Sequence, residues 1–187
     1  MDVCGAIAGV VLLSPLMVAI AVAVKLTDGG PILYRQTRIG LNRTRFTILK
    51  FRTMTTEAER DLGAVWSVLR DSRCTRIGGL LRRLGFDELP QLWNVLRGDM
   101  SLVGPRPERP EFIREFCSEF PNYDVRHSVR CGLTGYAQVH GWRGDTSIEE
   151  RLRHDIFYVR RWSLLMDFRI LALTVIHGWR DCTRNGV

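Results

Sequence analysis

From Val3 to Val24 the chain carries no charged residue, and this is its strongest constraint. As a helix those 22 residues would cover the hydrocarbon thickness of a bilayer. Only Met1 and Asp2 precede the run, so it lacks the basic leader of a cleaved signal, and it is too long for one. Lys25, Arg35, Arg38, Arg43 and Arg45 follow it closely, which places the rest of the chain on the cytoplasmic side. Ser14-Pro15 interrupts the run near its middle. Proline removes a backbone donor and bends the helix, and Ser14 can return a hydrogen bond to the carbonyl left free. A mild kink leaves a single-pass span, and a sharp bend makes a re-entrant anchor. Helix physics alone favours the span over the re-entrant form, and both over a buried core helix. Cys4 within the run is expected to be a small buried hydrophobe.

Beyond the run the composition is that of a globular domain. The chain has 187 residues, enough for one domain with its own core, and 45% of them are hydrophobic. The formal charge is +7, and arginine greatly outnumbers lysine. Such a surface favours anionic partners, and guanidinium suits phosphate. Cys4, Cys74, Cys117, Cys131 and Cys182 form no C-x-x-C pair, which argues against a zinc site or a disulfide framework and for a reducing compartment.

Local patterning predicts the elements. Residues 32–36 and 45–51 read as strands around the Gly40-Leu41-Asn42 turn. Residues 55–69 read as a helix. From Asp71 to Leu84 a segment with Arg73, Arg76, Arg82 and Arg83, preceded by Arg70, reads as a solvated basic helix face. A short helix is expected over 111–120. Gly132 to Gly135 form a turn before a candidate strand at 136–139. Ser147, with Glu149 and Glu150 behind it, starts a helix running to about Arg161. Residues 162–179 are apolar but hold Asp167 and Arg169, which fits an interfacial helix or a core helix equally well. There is no repeat or low-complexity tract.

The chemistry is concentrated between Phe86 and Pro107. Asp87 and Glu88 precede Pro90, and Leu89, Leu92, Trp93 and Leu96 follow at helical spacing. The plain structural role for the pair is to cap a helix starting near Asp87 and to complement its dipole. The chemical role is larger. An ionised Asp can attack phosphorus, and a neighbouring Glu can shuttle protons or help hold a metal. Carboxylates facing a diphosphate call for Mg²⁺ to neutralise charge. Pro105-Arg106-Pro107 stiffens the backbone around one arginine, which lowers the entropy lost when it binds phosphate.

These segments together resemble the bacterial sugar transferases, the monotopic polyprenyl-phosphate phosphoglycosyl transferases. The resemblance lies in Ser14-Pro15, in 50–54 (Lys-Phe-Arg-Thr-Met), in 87–94 (Asp-Glu-Leu-Pro-Gln-Leu-Trp-Asn), in 98–107 ending in Pro105-Arg106-Pro107, and in 132–139. It implies transfer of a hexose 1-phosphate from a UDP-sugar to undecaprenyl phosphate, with release of UMP, at the start of exopolysaccharide, O-antigen or capsule assembly. Asp87 would be the nucleophile that forms a covalent phosphosugar intermediate. Glu88 would assist proton transfer or activate the acceptor, and Mg²⁺ would bridge Asp87 and the diphosphate. Arg106, Pro105, Pro107, Gln138, Lys50, Arg52, Arg73 and Arg76 would bind substrate. Ser14-Pro15 would bend a re-entrant helix, reversing the preference for a span.

The implied fold is mixed α/β, mainly helical with a small β-hairpin. Residues 1–28 would form the re-entrant membrane helix and 29–187 the catalytic domain with interfacial helices. The place is the cytoplasmic face of the bacterial inner membrane, with membrane lipid as a partner, nucleic acid not one, and oligomers allowed. The stretch 139–147 resembles the branch using UDP-glucose or UDP-galactose. Members of that branch often carry further membrane helices upstream, so the chain reads as a short form or as the catalytic part. Phe86, Cys131 and His140 depart from the family pattern at the acid pair, before Gly132 and after Val139. Three rivals are a basic membrane-tethered binding module without turnover, whose binding salt would abolish steeply, a structural membrane protein, which leaves the acid pair without a role, and a UDP-sugar hydrolase.

Overall fold

The computed structural model describes residues 1–55, 72–144 and 146–184. The helix expected over 55–69 falls, apart from Thr55, outside them.

Helix α1 (Asp2–Asp28) runs through Ser14-Pro15. Ser14 Oγ donates to the Val11 carbonyl at 2.9 Å, the acceptor that the proline ring deprives of its i+4 donor. Gly29 ends the helix with φ 71°, and its N–H donates to Lys25 O, a left-handed cap suited to glycine. By length and composition α1 could cross a membrane. It does not stand away from the domain. Near its start, Asp2 Oδ1 accepts from Ser101 Oγ at 3.0 Å and from Leu102 N at 3.1 Å. Near its end, Ile20 and Val24 pack with Phe51 and Leu81. The opposite face leaves Val3, Ile7, Val11, Leu12, Val18, Val22 and Leu26 exposed. Cys4 lies on that outer side, so the buried position expected for it is corrected. The helix has only one covered face, and Cys4 is not on it.

Strands β1 (Leu33–Ile39) and β2 (Arg45–Phe51) form the expected hairpin, with Tyr34 opposite Lys50 and Gln36 opposite Ile48. Helix α2 (Arg76–Leu84) is capped by Thr75, whose side chain accepts from Gly78 N. Helix α3 (Gln91–Leu96) is fixed to the hairpin by Asn94, which is fully buried. Its Oδ1 accepts from Leu49 N at 3.0 Å and its Nδ2 donates to Thr47 O at 2.7 Å.

Strand β3 (Ser101–Val103) pairs in parallel with β4 (Gly132–Thr134). A Cβ on Gly132 would sit 2.1 Å from Gly104 N, so the two backbones meet where side chains are absent. Gly132→Ala is therefore expected to lower the melting temperature by roughly 10 °C or more, as a circular dichroism melt would read. The strand expected over 136–139 is corrected: Tyr136–Val139 is the short helix α5. The pairing edge of β3 is already used by Gly132–Thr134, and after extended Gly135 the chain turns helical.

Helix α4 (Pro110–Glu119) and helix α6 (Ile148–Arg161) follow expectation. Ser147 caps α6 by accepting from Glu150 N. Helix α7 (Leu164–Arg184) is two-faced. Ile170 and Asp167 are buried, whereas Leu164, Leu165, Phe168, Val175 and Ile176 are exposed, so the core and interfacial readings each describe one face. Leu92, Val95, Met100, Val103 and Ile170 form the centre of the core.

Candidate active site

Pro90 shapes the acid pair. Residues 86–88 form a 3₁₀ turn, and Pro90 precedes α3 as its N-cap without a side-chain cap bond. The backbone bonds here are i→i−3: Glu88 N to Gly85 O and Leu89 N to Phe86 O. The capping role for Asp87 is thus corrected. The helix starts later, after the residue that lacks an N–H, and the tight turn leaves the Asp87 carboxylate uncommitted.

The two carboxylates differ sharply. Asp87 is only 8% exposed and lines a cavity of about 520 Å³. Among the described residues it has no hydrogen-bond or ion-pair partner. Burial pushes its pKa above the ordinary carboxylate value, Lys50 opposes this, and Glu88 adds to it. Glu88 has both oxygens engaged: Oε1 is 2.7 Å from Lys50 Nζ and 2.5 Å from Arg106 Nη2, and Oε2 is 3.1 Å from Arg106 Nη1. Burial alone would raise its pKa, but the charges and hydrogen bonds of Arg106 and Lys50 outweigh it and hold Glu88 far below the carboxylate range. Arg106 is raised in turn, chiefly by Glu88, and Lys50 is lowered by its burial despite Glu88.

The cavity walls explain the arginine-rich composition. Eight arginines and Lys50 line it, against the carboxylates of Asp87 and Glu108. Its volume lies in the range of small-molecule sites. Of the substrate-binding residues expected from sequence, Lys50, Arg52, Arg73 and Arg106 reach it. Arg76 is exposed at the start of α2 and is not among the lining residues. Pro105 and Pro107 flank Arg106 without lining the cavity, and Gln138 turns its Nε2 to Leu133 O at 3.4 Å. Arg82, oriented by an Nε bond to Thr53 Oγ1 at 2.8 Å, belongs to the wall and not to the solvated face that the sequence predicts for it.

Sequence reading missed a buried ion network behind Arg106. Arg126 Nη2 donates to Arg106 O at 2.8 Å, and Arg38 Nη1 donates to Pro107 O at 3.1 Å. Glu108 Oε1 accepts from Arg151 Nη1 at 2.9 Å, and Arg126 Nη2 also lies 2.8 Å from Asp155 Oδ2. Two guanidinium groups thus hold the carbonyls of the Pro-Arg-Pro turn. The only signal in the chain was the number of charged residues in segments with strong apolar periodicity, such as Arg151 and Asp155 on α6.

Among the described residues no three His, Cys, Asp or Glu side chains gather to hold a metal. Among the described residues Asp87 is the one uncommitted carboxylate lining this cation-walled cavity. That suits Mg²⁺, which commonly takes one or two carboxylates, keeps several waters and shares substrate phosphates.

Comparison with known proteins gives the family. A family model described as bacterial sugar transferase matches residues 1–181. The UDP-N-acetylgalactosamine-undecaprenyl-phosphate N-acetylgalactosaminephosphotransferase of Aeromonas hydrophila is 44% identical over 177 residues, covering 94% of this chain and 42% of that protein. The UDP-glucose:undecaprenyl-phosphate glucose-1-phosphate transferase of Klebsiella pneumoniae is 42% identical over 173 residues, 90% of this chain and 37% of that protein. The protein of the same name from Caulobacter vibrioides is 46% identical over 180 residues, 94% of this chain and 67% of that protein. The chain spans about two fifths of the length of the first two.

Proposed function

Since the chain belongs to the bacterial sugar transferase family, we propose that it transfers a sugar 1-phosphate from a UDP-sugar to undecaprenyl phosphate. The observation that carries this reading is Asp87: among the described residues, a buried carboxylate without a hydrogen-bond or ion-pair partner, in a cavity walled by nine cationic side chains. A carboxylate in such a wall meets an anionic substrate without mutual repulsion deciding the outcome.

The step is a displacement at the sugar-bearing phosphorus. An Asp87 oxygen attacks it, the bond to the bridging oxygen breaks, and UMP leaves with the electron pair. A phosphate oxygen of the acceptor then attacks the same phosphorus and releases Asp87, giving undecaprenyl-diphosphate-sugar. Lys50 and Arg106 neutralise the charge that develops on the diphosphate. Glu88 is held ionised with both oxygens engaged, an arrangement that supports its orienting these two cations. Asp87 would share Mg²⁺ with the diphosphate, and the ion would supply charge neutralisation for the departing UMP. The relatives' names divide between N-acetylgalactosamine and glucose, which supports a UDP-sugar donor; UDP-glucose and UDP-galactose are the donors proposed, with UDP-N-acetylgalactosamine in the same panel.

UMP release from a panel of UDP-sugars tests the reading, using detergent-solubilised protein with Mg²⁺. Turnover with one donor that requires undecaprenyl phosphate is expected. Equal UMP release without the acceptor would point to a hydrolase instead.

The membrane helix is proposed to be re-entrant on the cytoplasmic face. Support comes from α1 itself, whose start is bonded to β3 and whose end packs on Phe51 and Leu81 of the same domain. Ser14-Pro15→Ala-Ala is expected to convert it to a span, because the residue that weakens the helix midpoint is gone. A variant keeping Cys4 as its only cysteine reads the outcome. An impermeant thiol reagent on the cytoplasmic side should label Cys4 with Ser14-Pro15 present, and the periplasmic side should label it in the double substitution. Periplasmic labelling with Ser14-Pro15 intact would establish a span.

A further inference from the structure

Two charged residues, Asp167 and Arg169, interrupt the apolar stretch 164–179 of α7, and the fold accounts for one. Asp167 is 4% exposed and accepts from Tyr158 OH at 2.8 Å and from Trp162 Nε1 at 3.0 Å. Arg169 is exposed and has no hydrogen-bond or ion-pair partner among the described residues. It stands in a helix face where Leu165, Phe168, Val175 and Ile176 are also exposed.

Beside Arg169 lies a second cavity of about 300 Å³, between α5, α6 and α7. Its walls include Tyr136, Phe157, Met166 and Leu173, with His140 and Arg169 as its basic groups. The Tyr136 ring lies 4.2 Å from that of His140 and 5.1 Å from that of Phe157, making one aromatic wall. His140 Nδ1 is 2.7 Å from Tyr136 O, which makes Nδ1 the donor and leaves Nε2 available. No residue lines both this cavity and the one holding Asp87.

An apolar slot with an unpaired guanidinium on it fits an amphiphile with an anionic head. Arg169 would gain a charge-assisted bond to a phosphate, and the slot would cover a hydrocarbon chain. The surroundings argue for a membrane source. Helices α1 and α7 both pack on α2 and β3, and both keep an apolar outer face. Exposed Arg160 and Arg161, at the end of α6 just before α7, add positive charge. We propose that this slot binds one anionic membrane phospholipid, its acyl chain between α5, α6 and α7 and its phosphate on Arg169. The inference shares the membrane placement of the proposed function but not the chemistry of Asp87.

Native mass spectrometry of the full chain, titrated with phosphatidylglycerol and with phosphatidylcholine in detergent, tests it. One retained phosphatidylglycerol is expected, at least fivefold favoured over phosphatidylcholine. Arg169→Gln should abolish the preference, Arg169→Lys should keep most of it, and neither should change UMP release in detergent. Equal retention of the two lipids, or a preference untouched by Arg169→Gln, would overturn the proposal. Displacement of the phospholipid by undecaprenyl phosphate, with a raised KM for that acceptor in Arg169→Gln, would overturn it too by assigning the slot to the acceptor. Loss of the lipid preference with transferase activity intact would leave the reading of Asp87 standing.

Discussion

The Asp87→Asn variant is expected to lose acceptor-dependent UMP release by at least about 10⁴-fold while melting no lower than the native protein. The two halves of this result have one cause. Asp87 is buried without a partner among the described residues, and burial raises its pKa. A raised carboxylate favours the fold in its protonated form. That contribution is complete below the unfolded pKa and is lost as pH rises through the folded one. Above the unfolded carboxylate pKa, burying Asp87 therefore costs stability, and Asn removes the cost. Scanning calorimetry between pH 5 and 8 should place the Asn variant level with or above the native protein. The same shift moves activity. Attack requires ionised Asp87, so the acid limb of kcat/KM should lie above the pH range of an ordinary carboxylate. An Asp87→Asn variant that turns over at a comparable rate would remove Asp87 from the mechanism.

Glu88→Gln is expected to act with the opposite sign on stability. Glu88 is held below the carboxylate range because Arg106 and Lys50 outweigh its burial. Its stabilisation is present above the unfolded carboxylate pKa and lost as pH falls through the folded one. Gln leaves Lys50 and Arg106 facing each other with no anion between them, a loss of about 3 kcal/mol, toward the low end for breaking a buried pair. For a chain of this size the melting temperature should fall by roughly 6–12 °C. Arg106 would keep at most one of its two acceptors at residue 88 and lose the charge that orients it, and kcat/KM should fall by about 10²-fold for a displaced phosphate ligand. Adjacent carboxylates that shift the melting temperature in opposite directions would separate the buried nucleophile from the orienting group. Two shifts of the same sign would contradict that division.

What could be read from the chain was local. Ser14 bonding the carbonyl that Pro15 strands, Ser147 capping α6 and the 33–51 hairpin all follow from residues within four or so positions, or from strand alternation around one turn. The acid pair was legible as chemistry because Pro90 and Pro105-Arg106-Pro107 frame it. What could not be read depended on distant partners. Asn94 holds α3 by bonding backbone at 47 and 49, and nothing near it announces that. Arg38, Arg126, Arg151, Glu108 and Asp155 meet only after β1, α6 and the loops around Glu108 and Arg126 are assembled. Tyr136–Val139 alternates like a strand, but β3 has its partner in Gly132–Thr134, a pairing set by two glycines in close approach. Arg82 and Arg76 look alike in sequence. The Thr53 hydroxyl turns the first into the cavity wall, and the helix start leaves the second outside.

The most direct measurement is the intact mass of the protein after incubation with its UDP-sugar and Mg²⁺ in the absence of undecaprenyl phosphate. The expected result is one added hexose phosphate per chain, mapped to the peptide bearing Asp87, with an equal amount of UMP released and the adduct discharged when acceptor is added. Acceptor-dependent turnover without any adduct or UMP burst would contradict a covalent Asp87 intermediate.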